Sequence, residues 1–276
     1  MHKSREPLCC NCMPRTAYVI SVNRTRFRIA RQRLVSVGFL PQRAYLADNT
    51  SYLLNVARMY SLTPASANYV SKVNTLANLL SHLQNWNRSR MQWTYMFEDD
   101  VKFNFDITTV QSTLDLVENM IRKKIIQTEF LYLQRSPTRH PMFTGPVLHA
   151  TRMYGTMRNH TIQLQKCATN INLGGAHAYA VSSRSNMADR VWKETFNPSL
   201  HSQGTLRYFI DDRIKYYFGK MRRSTAWRNK NWPVCVTIDN EDPAVQANYG
   251  HNRDHECIQN SRKCPQRRHA SLAKTE

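Results

Sequence analysis

The chain has 276 residues, of which 41% are hydrophobic, so it can build one large domain or two small ones and is too apolar for global disorder. No run approaches the roughly 18–20 apolar residues of a membrane-spanning helix. The net charge of +20 and the pI of about 10.0 favour anionic partners, whether nucleic acid, an acidic membrane surface or a phosphorylated small molecule, without choosing among them.

Residues 1–15 read as an irregular basic arm. Its Cys9-Cys10-Asn11-Cys12 cluster could bind a soft metal but lacks the second pair of a zinc finger. The arm has no apolar core like that of a signal peptide. Read as a full chain, the protein is expected in the cytoplasm; read as a piece of a longer chain, it fits the secretory-pathway lumen as well. Ala17 to Val22 reads as a strand. Phe27 to Val37 reads as a helix with Phe27, Ala30, Leu34 and Val37 on one face, closed by Gly38. Strand, basic loop and helix form the opening half of a βαβ unit. Arg24 and Arg28 stand where the strand gives way to the helix, a place suited to phosphate, though both could be plain surface arginines. Ala44 to Asp48 reads as a short second strand, Tyr52 to Tyr60 as helical, and Ala67 to Trp86 as a long helix with Val70, Val73, Leu76, Leu79, Leu80 and Leu83 inward. His82 lies near the end of that helix.

Trp93-Thr94-Tyr95-Met96-Phe97-Glu98-Asp99-Asp100-Val101 is the stretch around which the chain is organised. An aromatic and apolar run of this length reads as a buried strand. It ends in three carboxylates, which repel one another and resist ionising together. A divalent cation such as Mn²⁺ or Mg²⁺ removes that penalty, and open α/β sheets bind ligands at the carboxyl ends of their strands. A solvated acidic turn or a helix N-terminus would also account for the three acids.

Beyond the acids, Val110 to Ile126 is an amphipathic helix and Phe130 to Leu133 a strand. Residues 134–166 carry Pro137, Pro141 and Pro146 and few apolar repeats, and read as a long loop or lid. Asn172 to Val181 reads as a glycine-led strand, Ser185 to Trp192 as a helix start, and Val234 to Ile238 as a last strand. Phe209-Ile210-Asp211-Asp212-Arg213 supplies a second acidic pair. From Asp239 onward the chain is polar. Cys257 and Cys264 could pair in an oxidising compartment or remain thiols. The sequons at Asn23, Asn49, Asn87 and Asn159 are no more than chance gives. Strands alternating with helices predict a single α/β domain with a mainly parallel sheet, set between the arm and a polar tail over 241–276.

At this level the chain resembles glycosyltransferase family 25, the lipooligosaccharide and collagen β-galactosyltransferases. Val19-Ile20-Ser21-Val22-Asn23-Arg24 with Arg28 is similar to that family's opening strand and its spaced arginines. Ala47-Asp48 resembles its second strand end, and Leu80-Ser81-His82 with Trp86 its "SH…W" helix. Glu98-Asp99-Asp100-Val101 matches its EDDV strand end. Phe130 to Leu133 matches its next strand, Gly175 to Ser182 its "G-x-HAY" strand, and Ile210-Asp211 its later (V/I)D element. The likeness spans roughly residues 17–240, within a domain drawn over 16–240. Asn74-Thr75 and Ala77-Asn78 stand where the family usually has Gly-Glu and Gly-Cys.

The resemblance implies a GT-A-like (Rossmann-like) nucleotide-sugar-binding fold and a hexose transfer, inverting, from UDP-galactose or UDP-glucose to an acceptor hydroxyl on a glycan, protein or lipid. It implies Mn²⁺ (or Mg²⁺) held by Glu98 and Asp100. Asn23, Arg24, Arg28, Asp48 and Asp99 would contact the donor, His177 and Tyr179 would line the sugar pocket, and Asp211 or Asp212 would be the general base. A basic nucleic-acid binder or metal nuclease is the alternative that the net charge keeps open, with Asp100-Val101-Lys102 as its acid-x-lysine. No Pro-Asp stands shortly upstream, and the aromatics do not interleave with Lys and Arg as a stacking surface would require. A third expectation is an inactive relative serving as a basic scaffold on membranes or partners.

Overall fold

The computed structural model describes residues 14–46, 55, 69–86, 92–134, 144–154, 159–167, 177–183, 185–195, 214 and 233–246. Strand β1 (Arg15–Ile20) turns through Ser21–Asn23 into helix α1 (Arg24–Ser36). Asn23 starts the helix: its side-chain oxygen accepts the Thr25 N–H at 2.8 Å and the Arg26 N–H at 3.1 Å, two donors a helix start leaves unpaired. Gly38 ends it at φ +85, a left-handed conformation that favours glycine.

Strand β2 (Phe39–Arg43) follows at once and pairs parallel with β1. This corrects the expected strand over Ala44 to Asp48. Once Gly38 has reversed the chain, Phe39 drops into the core, its ring 5.3 Å from that of Tyr95 and 5.2 Å from that of Phe97. Pro41 is tolerated because β2 is an edge strand. Among the described residues only Ala44 prolongs the pairing, its N–H bonding the Val19 carbonyl at 2.9 Å; Ala47 and Asp48 lie outside them.

Helix α2 (Tyr69–Trp86) precedes β3 (Trp93–Glu98), and β4 (Val101–Phe103) leads to α3 (Ile107–Arg122) and β5 (Phe130–Tyr132). The expected lid over 134–166 is instead largely a hairpin. Strands β6 (Thr144–Tyr154) and β7 (Asn159–Cys167) pair antiparallel from Thr144↔Cys167 to Tyr154↔Asn159. Ile162 and Leu164 are buried while Thr161 and Gln163 are partly exposed. That period of two is what a hairpin with one covered face needs, and it leaves no helical repeat to detect. Residues 135–143 and 155–158 lie outside the described residues.

Strand β8 (Ala178–Ser182), helix α4 (Met187–Thr195), β9 (Val234–Ile238) and β10 (Ala244–Gln246) complete the elements. The sheet runs β2-β1-β3-β8-β5-β9-β7-β6. It is mixed rather than mainly parallel: β1–β2, β1–β3 and β5–β9 are parallel, while β3–β8, β5–β8, β7–β9 and β6–β7 are antiparallel. A helix crossover returns a strand parallel to its predecessor, but β8 follows a hairpin and enters between β3 and β5 the other way.

The sheet is covered on both faces. Ala30, Leu34, Val110, Leu114 and Val117 of α1 and α3 pack with Tyr95 and Phe97. Leu79, Leu83 and Trp86 of α2 and Met187 and Val191 of α4 pack with Met96, Phe130 and Tyr179. The alternation of Tyr95, Met96 and Phe97 between the two cores is the strand period made visible, and strands buried on both faces read as continuous apolar runs. A disulfide joins Cys167 of β7 to Cys235 of β9 across 68 residues; Cys257 and Cys264 lie outside the described residues.

At the amino end of β1, Arg15 bonds Glu118 at 2.8 Å, Asp115 at 2.5 Å and Gln111. Burial works against its charge, and Glu118, Tyr95 and Asp115 outweigh it, so the guanidinium is held above its ordinary value. The Tyr95 hydroxyl donates to Glu118 at 2.5 Å and is pushed well up by burial first and by Glu118.

Candidate metal centre

Three elements meet at one point because of strand direction. β1 and β3 are parallel neighbours with Ile20 beside Glu98, so both chains leave the sheet on the same side. β8 runs antiparallel to β3, so its first residues arrive where β3 ends. The Glu98 N–H bonds the His177 carbonyl at 2.8 Å and closes this junction.

One ligand atom each from Glu98, Asp100 and His177 lies within 4.8 Å of the others. His177 Nδ1 bonds Glu98 Oε2 directly and stands 3.9 Å from Asp100 Oδ1. Asp100 is buried, at 4% exposure, while Glu98 and His177 are partly open. Two carboxylates and one imidazole form an oxygen-rich donor set with one nitrogen. That set fits Mn²⁺, which accepts both ligand types, better than Mg²⁺, which prefers oxygen alone.

Asp99 points elsewhere. Its Oδ2 accepts the Ser21 hydroxyl at 2.6 Å and its Oδ1 faces Arg26 at 2.6 Å. Burial pushes its carboxyl up; the Ser21 hydrogen bond and the Arg26 charge pull it back, and Asp100 and Glu98 push it up again. The surrounding loops are braced by two more arginines. Arg43 reaches the Ser21 carbonyl at 3.1 and 3.2 Å, and Arg33 the Val101 carbonyl at 3.0 Å.

Beneath the centre lies a buried polar chain. Trp86 Nε1–H donates to Tyr179 Oη at 2.8 Å, and Tyr179 Oη meets His82 Nδ1 at 2.5 Å. Burial pushes the His82 ring down to about 4, with Glu98 pulling upward and His177 pushing further down. Tyr179 is fully buried, its ring stacked on Phe130 at 4.9 Å. It therefore does not line an open sugar pocket as expected, because its face of β8 is covered by α2.

Of the other expected residues, Glu98 and Asp100 stand together and His177 joins them. Asn23 is occupied as the helix cap. Arg24 and Arg28 are exposed on α1, and it is Arg26 that reaches Asp99. Asp48, Asp211 and Asp212 lie outside the described residues. Ser21, Arg26, Arg33 and Arg43 were not anticipated. Asn23 held a usable signal, since a cap there puts Arg26 at the third helical position, from which a side chain can reach back past the helix start. A cleft of about 320 Å³ lined by Gln92, Asp115, Glu118, Asn119 and Arg122 opens near the other end of β3. Two of its acids already engage Arg15.

No helix among the described residues is long and apolar enough to cross a membrane. A comparison of the chain with protein-family models finds none that matches, and a comparison with curated proteins likewise returns no match.

Proposed function

We propose that the chain is a metal-dependent glycosyltransferase with a GT-A-like domain, moving galactose or glucose from a UDP-sugar to an acceptor hydroxyl with inversion. The observation that carries this reading is the meeting of Glu98, Asp100 and His177 at the carboxyl end of β3, within 4.8 Å of one another and beside the amino end of α1. Glu98, Asp100 and His177 would hold Mn²⁺, which when bound supplies Lewis-acid relief of charge on a departing diphosphate. Arg26, fixed by Asp99, together with exposed Arg24 and Arg28, makes the α1 end attractive to phosphate. Asp211 and Asp212 are the proposed bases for the acceptor hydroxyl. The acceptor class is glycan, protein or lipid.

Thermal unfolding with Mn²⁺ and a panel of UDP-, GDP- and CMP-sugars tests the reading, beside Asp100→Asn. A ligand at 100 times its Kd adds about 2.7 kcal/mol to the native state. A metal-dependent rise with one UDP-sugar, absent in Asp100→Asn, is expected. No rise with any sugar nucleotide, together with salt-sensitive binding of RNA or DNA, would move the assignment to the nucleic-acid reading that the +20 charge keeps open.

A further inference from the structure

His82 is fully buried and not exposed at all, and a ring so placed is neutral. A neutral imidazole carries one proton and a phenol has one to give. Trp86 already donates to Tyr179 Oη. If the Tyr179 hydroxyl, whose oxygen already accepts from Trp86, donates to His82 Nδ1, the imidazole proton rests on Nε2. That atom is buried and has no hydrogen-bond partner among the described residues. A buried donor left unpaired costs about 1–3 kcal/mol, and such an atom calls for an explanation.

The register puts this ring beside the metal centre. Met96 and Glu98 lie two apart on β3, so they share one face of the strand. Met96 stands opposite Tyr179, and His177 lies two residues before Tyr179 at the mouth of β8. His82 lies against Tyr179, ring centroids 5.8 Å apart, on the α2 side of the sheet. Its neighbours along that face are therefore Tyr179, then Glu98 and His177. Carboxylates that bind metals are themselves held by hydrogen bonds from a second layer of residues, and losing one such bond weakens metal binding about 10–100-fold.

We propose that His82 is a positioning residue of the metal centre, its Nε2–H held ready to donate to the Glu98 carboxylate when that carboxylate turns to a cation. Tyr179 and Trp86 fix the tautomer that puts the proton on Nε2. The inference deepens the reading above and rests on its metal site.

The test is Mn²⁺ affinity, measured by calorimetry on the full chain for the wild type, His82→Phe, His82→Gln and His82→Asn. Glutamine places an N–H near the Nε2 position, whereas asparagine places one near Nδ1. Phenylalanine and asparagine should weaken Mn²⁺ about 10–100-fold, and glutamine should recover most of that loss. A merely structural role would not separate glutamine from asparagine in this way. A wild type that binds no Mn²⁺ removes the metal reading itself. A wild type that binds, beside a folded His82→Phe of equal affinity, overturns the role of His82 alone and leaves the metal reading standing. Should His82→Phe not fold, Tyr179→Phe decides. It keeps the ring but frees the His82 proton to sit on either nitrogen, so Mn²⁺ affinity should fall several-fold; equal affinity overturns the proposal.

Discussion

Lowering the pH from about 7 to about 5 should weaken the wild-type fold by about 2 kcal/mol more than it weakens His82→Phe. Burial pushes the ring from its ordinary 6.5 down to about 4. Between those values the unfolded chain takes up a proton that the native ring refuses. The folded value is the lower one, so the stability is complete above the unfolded value and is lost as the pH falls through the window towards the folded one. A full unit is worth about 1.4 kcal/mol, and integrating over the upper part of the window gives about 2 kcal/mol. For a chain of this size that is a difference of roughly 4–8 °C in Tm. Asp99 acts in the opposite sense, since its carboxyl is raised and the native state there binds the extra proton as pH falls. It is present in both proteins and drops out of the difference. Urea unfolding at several pH values with EDTA present makes the measurement. Parallel curves for the two proteins, or a steeper loss in the variant, would refute the claim that His82 is buried neutral.

Arg26→Met removes the cation facing buried Asp99 and should cost about 1–3 kcal/mol at neutral pH, with much of the loss recovered in the double variant that adds Asp99→Asn, as a double-mutant cycle would show. Gly38→Ala should destabilise by about 1–2 kcal/mol, because the residue sits at φ +85 and its new Cβ would lie 3.1 Å from Gln111; urea midpoints check this. Replacing Cys167 and Cys235 together by alanine opens a loop of 68 residues and should cost about 4 kcal/mol. In the wild type those two cysteines should resist alkylation in denaturant until reductant is added, and free thiols at both positions in non-reduced protein would contradict the observed pairing.

The acidic strand end was legible in the sequence because its pattern is local: the apolar run reads as a buried strand, and the run itself fixes which end of it the carboxylates occupy. The β1–α1 unit was legible for the same reason, through Ala30 and Leu34 on one helix face and Gly38 at its end. His177 could be named but not paired, since its meeting with Glu98 and Asp100 depends on β8 entering antiparallel, which no nearby residue signals. Arg26 was missed by phase: it looks equivalent to Arg24 and Arg28 until the Asn23 cap sets the rotation of the helix and turns it to Asp99. The hairpin of β6 and β7 escaped because its apolar residues alternate on one face only. The Cys167–Cys235 bond is a contact between strands far apart in sequence, and spacing alone cannot choose it among seven cysteines.

Strand β4 begins with Val101, directly after the Glu98-Asp99-Asp100 segment, and pairs with β10 through Val101↔Gln246, Lys102↔Val245 and Ala244↔Phe103. The exit of the acidic segment is thus secured by residues about 145 positions later. Translation at roughly 5–20 residues per second would separate the two by about 7–30 s. During that interval a nascent chain can collapse β1, α1 and β3 into a local core, but the departing end of the carboxylate segment has no strand to hold it, and His177 emerges only midway. Ribosome-bound chains halted before Gln246 should therefore form this early core without retaining a cation. Occupancy of the centre would then mark the end of a maturation sequence, acquired late rather than serving as a seed around which the rest condenses.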